Sequence, residues 1–177
     1  MRIGIDVSQV AYSKTGVANY VRQLVTHLLS LDTTNEYILF YSSLRQPFSL
    51  SDFNLESQSN VSLKSYKMPP RLLDLMWNKL HILPIENFIG DVDVFISSDW
   101  TQPPTRKAKQ ATILYDLIVY KFPEETDATI VSTHKRRLQW VKKECSMIFC
   151  ISESTKQDAM KLLGIKEDRL RVIYPGI

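Results

Sequence analysis

Glycine is scarce in this 177-residue chain. Its five glycines form neither a G-x-G-x-x-G nor a G-x-x-x-x-G-K-[ST] pattern. A dinucleotide fingerprint and a P-loop are therefore excluded, because both let backbone approach phosphate only where glycine stands. Cysteine is rarer still. Cys145 and Cys150 flank Met147-Ile148-Phe149 without a C-x-x-C pair, and His27, His81 and His134 lie scattered. That spacing predicts no metal-ligand cluster and no disulfide framework, so a reduced, cytoplasmic chain is expected. No run reaches the roughly 18 apolar residues that span a bilayer. Met1-Arg2-Ile3-Gly4-Ile5 enters a strand pattern at once, which leaves no room for a signal peptide. An excess of one charge is also missing: 22 Lys and Arg face 19 Asp and Glu, a net +3. Such a balance excludes the footprint of a dedicated nucleic-acid binder.

What is present is an ordinary globular composition, 44% hydrophobic and 23% charged, in a length that suits one domain. Short apolar runs alternate with amphipathic segments. Ile3 to Val7, Tyr37 to Tyr41, Val92 to Ile96, Ala111 to Tyr115, Ser146 to Ile151 and Leu170 to Tyr174 read as buried strands. Gln46 to Met68 is polar, with one short strand near Val61 to Tyr66. Helices are predicted after the first strand, with Val17, Tyr20, Val21, Leu24, Leu28 and Leu31 on one face, over Leu72 to Leu80, and from Asp127 to Glu144. In the last of these, Ile130, Val131, Leu138 and Val141 form the apolar stripe. A further helix has Ser152 as its N-cap, with Ser154 and Thr155 as alternatives, and Gly164 just past its end. Apolar strands separated by crossover helices define a doubly wound, Rossmann-like α/β domain whose parallel sheet is covered on both faces.

Ligands of such sheets bind beyond the carboxyl ends of the strands. Asp6 and Ser8, Ser97-Ser98-Asp99-Trp100, Tyr115-Asp116 and Ser152-Glu153 all follow strands. Hydroxyls, carboxylates and rings collected on one edge suit a sugar or a nucleotide. Thr15-Gly16 opens the first helix, where free N–H groups favour an anion. Asp91-Val92-Asp93 resembles a D-x-D metal motif but precedes its strand, at the wrong end for a ligand, and is rejected. The Asp127–Glu144 helix places Trp140 away from its stripe, beside Arg136 and Lys143. This basic face with an outward tryptophan is a candidate contact for a membrane or other anionic surface, against a plain solvated face. No G-x-S-x-G elbow is present, and no histidine sits in a motif that would activate a nucleophile.

Four segments, in order, resemble the N-terminal domain of family 4 glycosyltransferases, a retaining group of the GT-B superfamily. They are Lys14-Thr15-Gly16-Val17-Ala18-Asn19-Tyr20; Asp93 to Trp100 with Pro103-Pro104; Ala111 to Leu117 with Phe122-Pro123-Glu124; and Ile151 to Asp158 continued by Leu163-Gly164-Ile165 and Arg171 to Ile177. The resemblance implies transfer of a sugar from a nucleotide-sugar donor, without metal or other cofactor, to a saccharide or lipid-linked acceptor. It further implies that residues 1–177 are the acceptor-side half of a two-domain enzyme, inactive without a nucleotide-binding C-terminal domain. By the same analogy Tyr115 and Asp116 are the candidate catalytic pair. Thr15, Gly16, Tyr20, Ser98, Asp99, Trp100, Ser152 and Glu153 are candidate substrate contacts. The Thr-Gly-Val-x-x-Tyr and Tyr-Asp-Leu-Ile stretches look most like mannosyl- or rhamnosyl-type polymer transferases working in cell-surface polysaccharide synthesis, in the cytoplasm or at the inner membrane face. Two features depart from the pattern: Tyr115 stands where the family usually has His, and Gly16 stands where it has a glycine pair. A different class also fits the residues, a non-catalytic module of flavodoxin-like shape binding a sugar, a lipid head group or a partner protein.

Overall fold

Continuous apolar runs at Arg2–Asp6 (β1) and Glu36–Ser42 (β2) form the middle of a sheet, because both faces of each strand must be covered. The computed structural model describes residues 1–53 and 58–176, so part of the polar Gln46–Met68 stretch and Ile177 lie outside the described residues. Five more strands follow: β3 (Val61–Tyr66), β4 (Val94–Ser97), β5 (Lys109–Leu114), β6 (Cys145–Cys150) and β7 (Leu170–Val172). Their order is β3-β2-β1-β4-β5-β6-β7, and every neighbouring pair is parallel. From β1 the chain steps outward to β2 and β3, then returns to β4 and winds the other way. The reversal between β1 and β4 opens a crevice beyond their carboxyl ends, where Asp6 and Ser97 stand.

Helix α1 (Gly16–Leu31) packs Val21, Val25 and Leu29 onto Ile5, Leu39 and Tyr41. The expected face is therefore rotated. The buried residues are Ala18, Val21, Val25 and Leu29, whereas Leu31 is 84% exposed. The physical reason is that α1 carries apolar side chains on two sides. Tyr20 and Leu24 line a groove of about 820 Å3 against Ile173, Tyr174 and Pro175, and Leu28 lies between that groove and the core under the helix.

The opposite side of the sheet is covered by the return path. The predicted Leu72–Leu80 helix is present as α2 (Pro70–Leu73) continued by a π turn at Asp74–Lys79. A short α3 (Glu86–Ile89) follows, and together they enclose Trp77, Ile85 and Phe95 over β2 and β4. Gly4 permits this approach, since a Cβ there would lie 2.7 Å from Ile89 Cδ1 and 2.9 Å from Phe95 Cδ2. Past the one-turn α4 (Ile118–Lys121), α5 (Ala128–Glu144) and α6 (Glu153–Leu163) cover β5 to β7 through Leu138, Val141, Ala159 and Leu163. Ser152 is the N-cap of α6, accepting the Thr155 N–H at 3.1 Å, and Gly164 terminates it at φ +63°.

The α5 stripe needs correction at its centre. Ile130 is 37% exposed, while the buried face holds Thr133, Arg137, Leu138 and Val141. Trp140 is not outward either. Its Nε1 donates to the Asn78 carbonyl at 2.9 Å, and its ring stacks on His81 at 3.6 Å between centroids. The π turn brings the Asn78 carbonyl and the His81 ring against this side of α5, so the indole finds a hydrogen bond and a stacking partner there.

Candidate functional site

The crevice is built from the ends of β1, β4 and β5 and from α5. Asp6 ends β1 with its carboxylate 3% exposed, and its Oδ1 accepts the Ser8 N–H at 2.9 Å and the Ser8 hydroxyl at 2.5 Å. Burial holds its pKa above the ordinary value, against the lowering pull of Ser8, Ser98 and Arg137. After β4 the chain turns through Ser98-Asp99-Trp100, clamped from the π turn. Asn78 Nδ2 donates to the Trp100 carbonyl at 2.9 Å, and Asn78 Oδ1 accepts the Gln102 N–H at 3.0 Å. Buried Ser97 donates to Gln102 Oε1 at 2.6 Å and fixes the far side of the loop.

Arg137 is the centre of the arrangement. It is fully buried, with Nε donating to the Ser98 carbonyl at 3.0 Å and Nη2 to Thr112 Oγ1 at 2.6 Å. Nη1 lies 3.7 Å from Asp99 Oδ1 and has no hydrogen-bond partner among the described residues. Burial lowers the pKa of Arg137, while the Asp99 carboxylate opposes the shift. The Tyr115 phenol is pushed far upward, first by burial and then by the neighbouring Asp99 and Tyr20. Its ring meets that of Tyr20 edge-on at 5.4 Å. Trp100 is 37% exposed and packs against His134, one turn before Arg137, with ring centroids 4.9 Å apart. Burial lowers the His134 pKa, and the Asp99 and Asp116 carboxylates pull it back.

Tyr20, Asp99, Trp100 and Tyr115 therefore converge, with Asp116 beside them. Asp116 is exposed, and its Oδ1 accepts the Ile118 N–H at 3.1 Å. Other expected contacts are engaged within the fold. Thr15 caps α1 through Ala18 N–H at 3.2 Å and donates to the Tyr12 carbonyl at 3.0 Å. Gly16 follows it, with open space where a Cβ would stand. Ser98 is buried, with its Oγ 3.4 Å from the Trp100 N–H it accepts. Ser152 is held by its capping bond, and Glu153 accepts from Gln157 at 3.1 Å and lies 4.0 Å from Lys156. Thr155, rather than either, reaches the Tyr115 carbonyl, donating at 3.0 Å. On the basic side of α5, Arg136 donates to Asp74 Oδ2 at 3.0 Å and Lys143 lies 4.9 Å from the Trp140 ring centroid.

His134 and Arg137 are the site residues that sequence reading missed. Their i, i+3 spacing on a helix that enters after Asp127 was the available signal, but their partners come from β4 and β5.

A second cavity, of about 590 Å3, opens at the amino end of the sheet among Arg2, Glu86, Asp91, Asp93, Lys107 and Lys109. It lies at the opposite end of the strands from the polar cluster, and both D-x-D residues there hold Arg2, Asp93 through its carboxylate and Asp91 through its backbone. Asp93 accepts the Arg2 N–H at 2.7 Å, and the Asp91 carbonyl accepts Arg2 Nη1 at 2.7 Å. Among the described residues no group of three acidic, histidine or cysteine side chains is placed to hold a metal, and no helix is long and apolar enough to cross a membrane.

An all-parallel doubly wound sheet, with its polar cluster at the strand-order reversal, defines a Rossmann-like α/β domain. Residues 14–177 match the family model of Glycosyltransferase Family 4, and the chain belongs to that family. No curated protein matches it.

Proposed function

We infer that the domain forms the acceptor side of an enzyme that moves a sugar from a nucleotide-sugar donor to a saccharide or lipid-linked acceptor. Transfer with retention at the anomeric carbon, a mannosyl- or rhamnosyl-type donor and a role in cell-surface polysaccharide synthesis belong to the same proposal. So does the division of labour in which a second domain holds the nucleotide. The observation that carries the reading is the convergence of Tyr20, Asp99, Trp100 and Tyr115 at the β1/β4 reversal in a chain of this family.

Each group has a task suited to its chemistry. The raised pKa keeps the Tyr115 phenol protonated at neutral pH, so it donates a hydrogen bond to a sugar oxygen and does not shuttle protons. Asp116 is the exposed carboxylate beside it, with Oδ2 available to accept from a sugar hydroxyl while Oδ1 takes the Ile118 N–H. The metal-free reading assigns stabilisation of the departing nucleotide to the second domain. Work at the inner membrane face would fall to Lys142 and Lys143, which remain exposed on α5 while Arg136 and Trp140 are engaged internally.

The test compares residues 1–177 with the full open reading frame that encodes them, against a panel of nucleotide sugars with and without glycoside acceptors. Turnover by the longer protein alone, with the product's anomeric configuration matching the donor's by NMR, is the expected result. A longer protein that turns over none of them would overturn the transferase reading and favour the non-catalytic binding module.

A further inference from the structure

The stretch from Pro70 to Leu83 turns its apolar side chains in two directions. Leu73 and Trp77 enter the core, while Asp74 is bound to Arg136 of α5 and Asn78 to the Trp100 carbonyl. Leu72, Leu75, Leu80, Ile82 and Leu83 remain between 39% and 56% exposed. The backbone keeps these five together. The Leu80 N–H donates to the Leu75 carbonyl at 2.9 Å, which sets the two leucines one π turn apart. The Ile82 N–H donates to the Met76 carbonyl at 2.9 Å and folds the chain back on the helix end. Apolar side chains scattered singly over a surface need no explanation, but a contiguous group marks a contact.

The tip of this outcrop is held in shape. The Leu83 carbonyl accepts Trp77 Nε1 at 3.0 Å. His81 Nδ1 donates to the Trp77 carbonyl at 2.8 Å, its Nε2 lies 2.9 Å from Glu144 Oε1, and its ring stacks on Trp140. Both His81 and Leu83 adopt left-handed backbone, with φ of 52° and 59°. A leucine resists that conformation, and here its side chain stays substantially in water. Neither backbone preference nor burial in the chain itself accounts for a leucine at this position.

Charge and composition identify the partner. Arg71 and Lys79 are exposed beside the leucines, and Lys143 borders the His81 side, 4.9 Å from the Trp140 ring centroid. The neighbouring acids are engaged internally: Asp74 with Arg136 and Asn78, and Glu144 with His81 and Gln110. The exposed group holds no Tyr or Trp, the anchors that dominate contacts between proteins. Leucine and isoleucine do enter acyl chains favourably, and basic residues at their border suit anionic head groups.

We propose that this outcrop docks the protein on an anionic bilayer. Leu80, Ile82 and Leu83 enter the acyl boundary, and Arg71, Lys79 and Lys143 meet the head groups. The contact is peripheral and lies on the 70–83 segment rather than on α5 alone. Its use in bringing a lipid-linked acceptor to the site rests on the transferase reading, whereas lipid binding itself requires no sugar transfer.

Co-sedimentation of the 177-residue chain with vesicles tests this, using equimolar phosphatidylglycerol and phosphatidylcholine against phosphatidylcholine alone. Binding to the anionic vesicles is expected, and about tenfold weaker binding to the neutral ones. Leu80→Ser combined with Ile82→Ser should weaken binding about tenfold or more, and Lys79→Glu about fivefold. Leu83→Asn should also weaken it while keeping the urea midpoint, because asparagine accepts the left-handed backbone and loses only the apolar group. No sedimentation with anionic vesicles would overturn the proposal, even where the full-length protein transfers sugar to a soluble acceptor. Binding that survives the Leu80 and Ile82 double variant unchanged would place the contact elsewhere and also overturn it. Self-association in the absence of lipid, abolished by that double variant, would assign the outcrop to a second copy of the chain instead. Vesicle binding by a protein that turns over no nucleotide sugar would sink the transferase reading and leave the docking surface standing.

Discussion

At the scale of single residues, burial sets the chemistry of the thiols and phenols. Cys145 and Cys150 are buried, and desolvation pushes their thiols up to about 12 and about 11. The thiolate is the nucleophile, so neither should react with a disulfide reagent in the native chain at pH near 8, and both should react on unfolding. Rapid native labelling of either would contradict the burial. Tyr115 gives a second prediction, resting on the transferase reading. In the full-length enzyme Tyr115→Phe removes one neutral hydrogen bond and is expected to lower kcat/KM by about 5- to 20-fold, roughly 1 to 2 kcal/mol. Thermal stability should move little, because the ring keeps its edge contact with Tyr20. A loss of a thousandfold would demand a proton-transfer role that a phenol with a raised pKa cannot fill.

At the scale of elements, caps and face selection matter more than propensity. Asp127 Oδ1 accepts the Thr129 and Ile130 N–H groups at 2.8 and 3.3 Å and so starts α5 without any intrahelical partner for them. Asp127→Ala should cost about 1 kcal/mol in urea denaturation, and Asp127→Ser much less. Equal losses for the two variants would show that the cap is not the cause. The strands were legible because continuous Val, Ile and Phe runs have few alternatives, and even β3 was visible inside a polar stretch. The face of α1 was not. Val17, Tyr20, Leu24, Leu28 and Leu31 make an equally good stripe on paper, and only the position of the Ile173–Gly176 segment assigns part of it to a groove. The π turn was hidden for a related reason. Its extra residue is stabilised by Asn78 bonds to Trp100, Gln102 and Trp140, which lie 22 to 62 positions away. Arg137 read as one more charge on a basic face because Thr112 and Ser98, which accept its bonds, are 25 and 39 positions distant.

At the scale of the whole molecule, the same Arg137 ties three elements into one unit. It joins α5 to the loop after β4 and to β5, with Asp6 at the end of β1 close enough to feel its charge. Arg137→Met would fill similar volume but strand the Ser98 carbonyl and leave Asp99 without its partner. The expected loss is about 3 kcal/mol in urea unfolding, above that of the surface substitution Arg45→Met, because a broken buried pair leaves its remaining charge uncompensated. The pH profile of stability carries a second signature from opposed carboxylates. Asp32 accepts from Asn35, Tyr37 and Thr34, and these bonds hold its pKa well below the ordinary 3.8. Its contribution is present above that value and is lost as pH falls through the depressed pKa. Buried Asp6 has the reverse sign. Its raised pKa makes its contribution greatest below the ordinary value, and this is lost as pH rises through the folded-state pKa. Asp32→Ala should therefore destabilise the chain more at about pH 6 than at about pH 2, and Asp6→Asn should flatten the decline toward neutral pH. Urea midpoints across that range would show both changes. An Asp32→Ala penalty that stayed constant down to about pH 2 would mean that its hydrogen bonds do not depend on the carboxylate charge, and the linkage argument for the acid limb would fail.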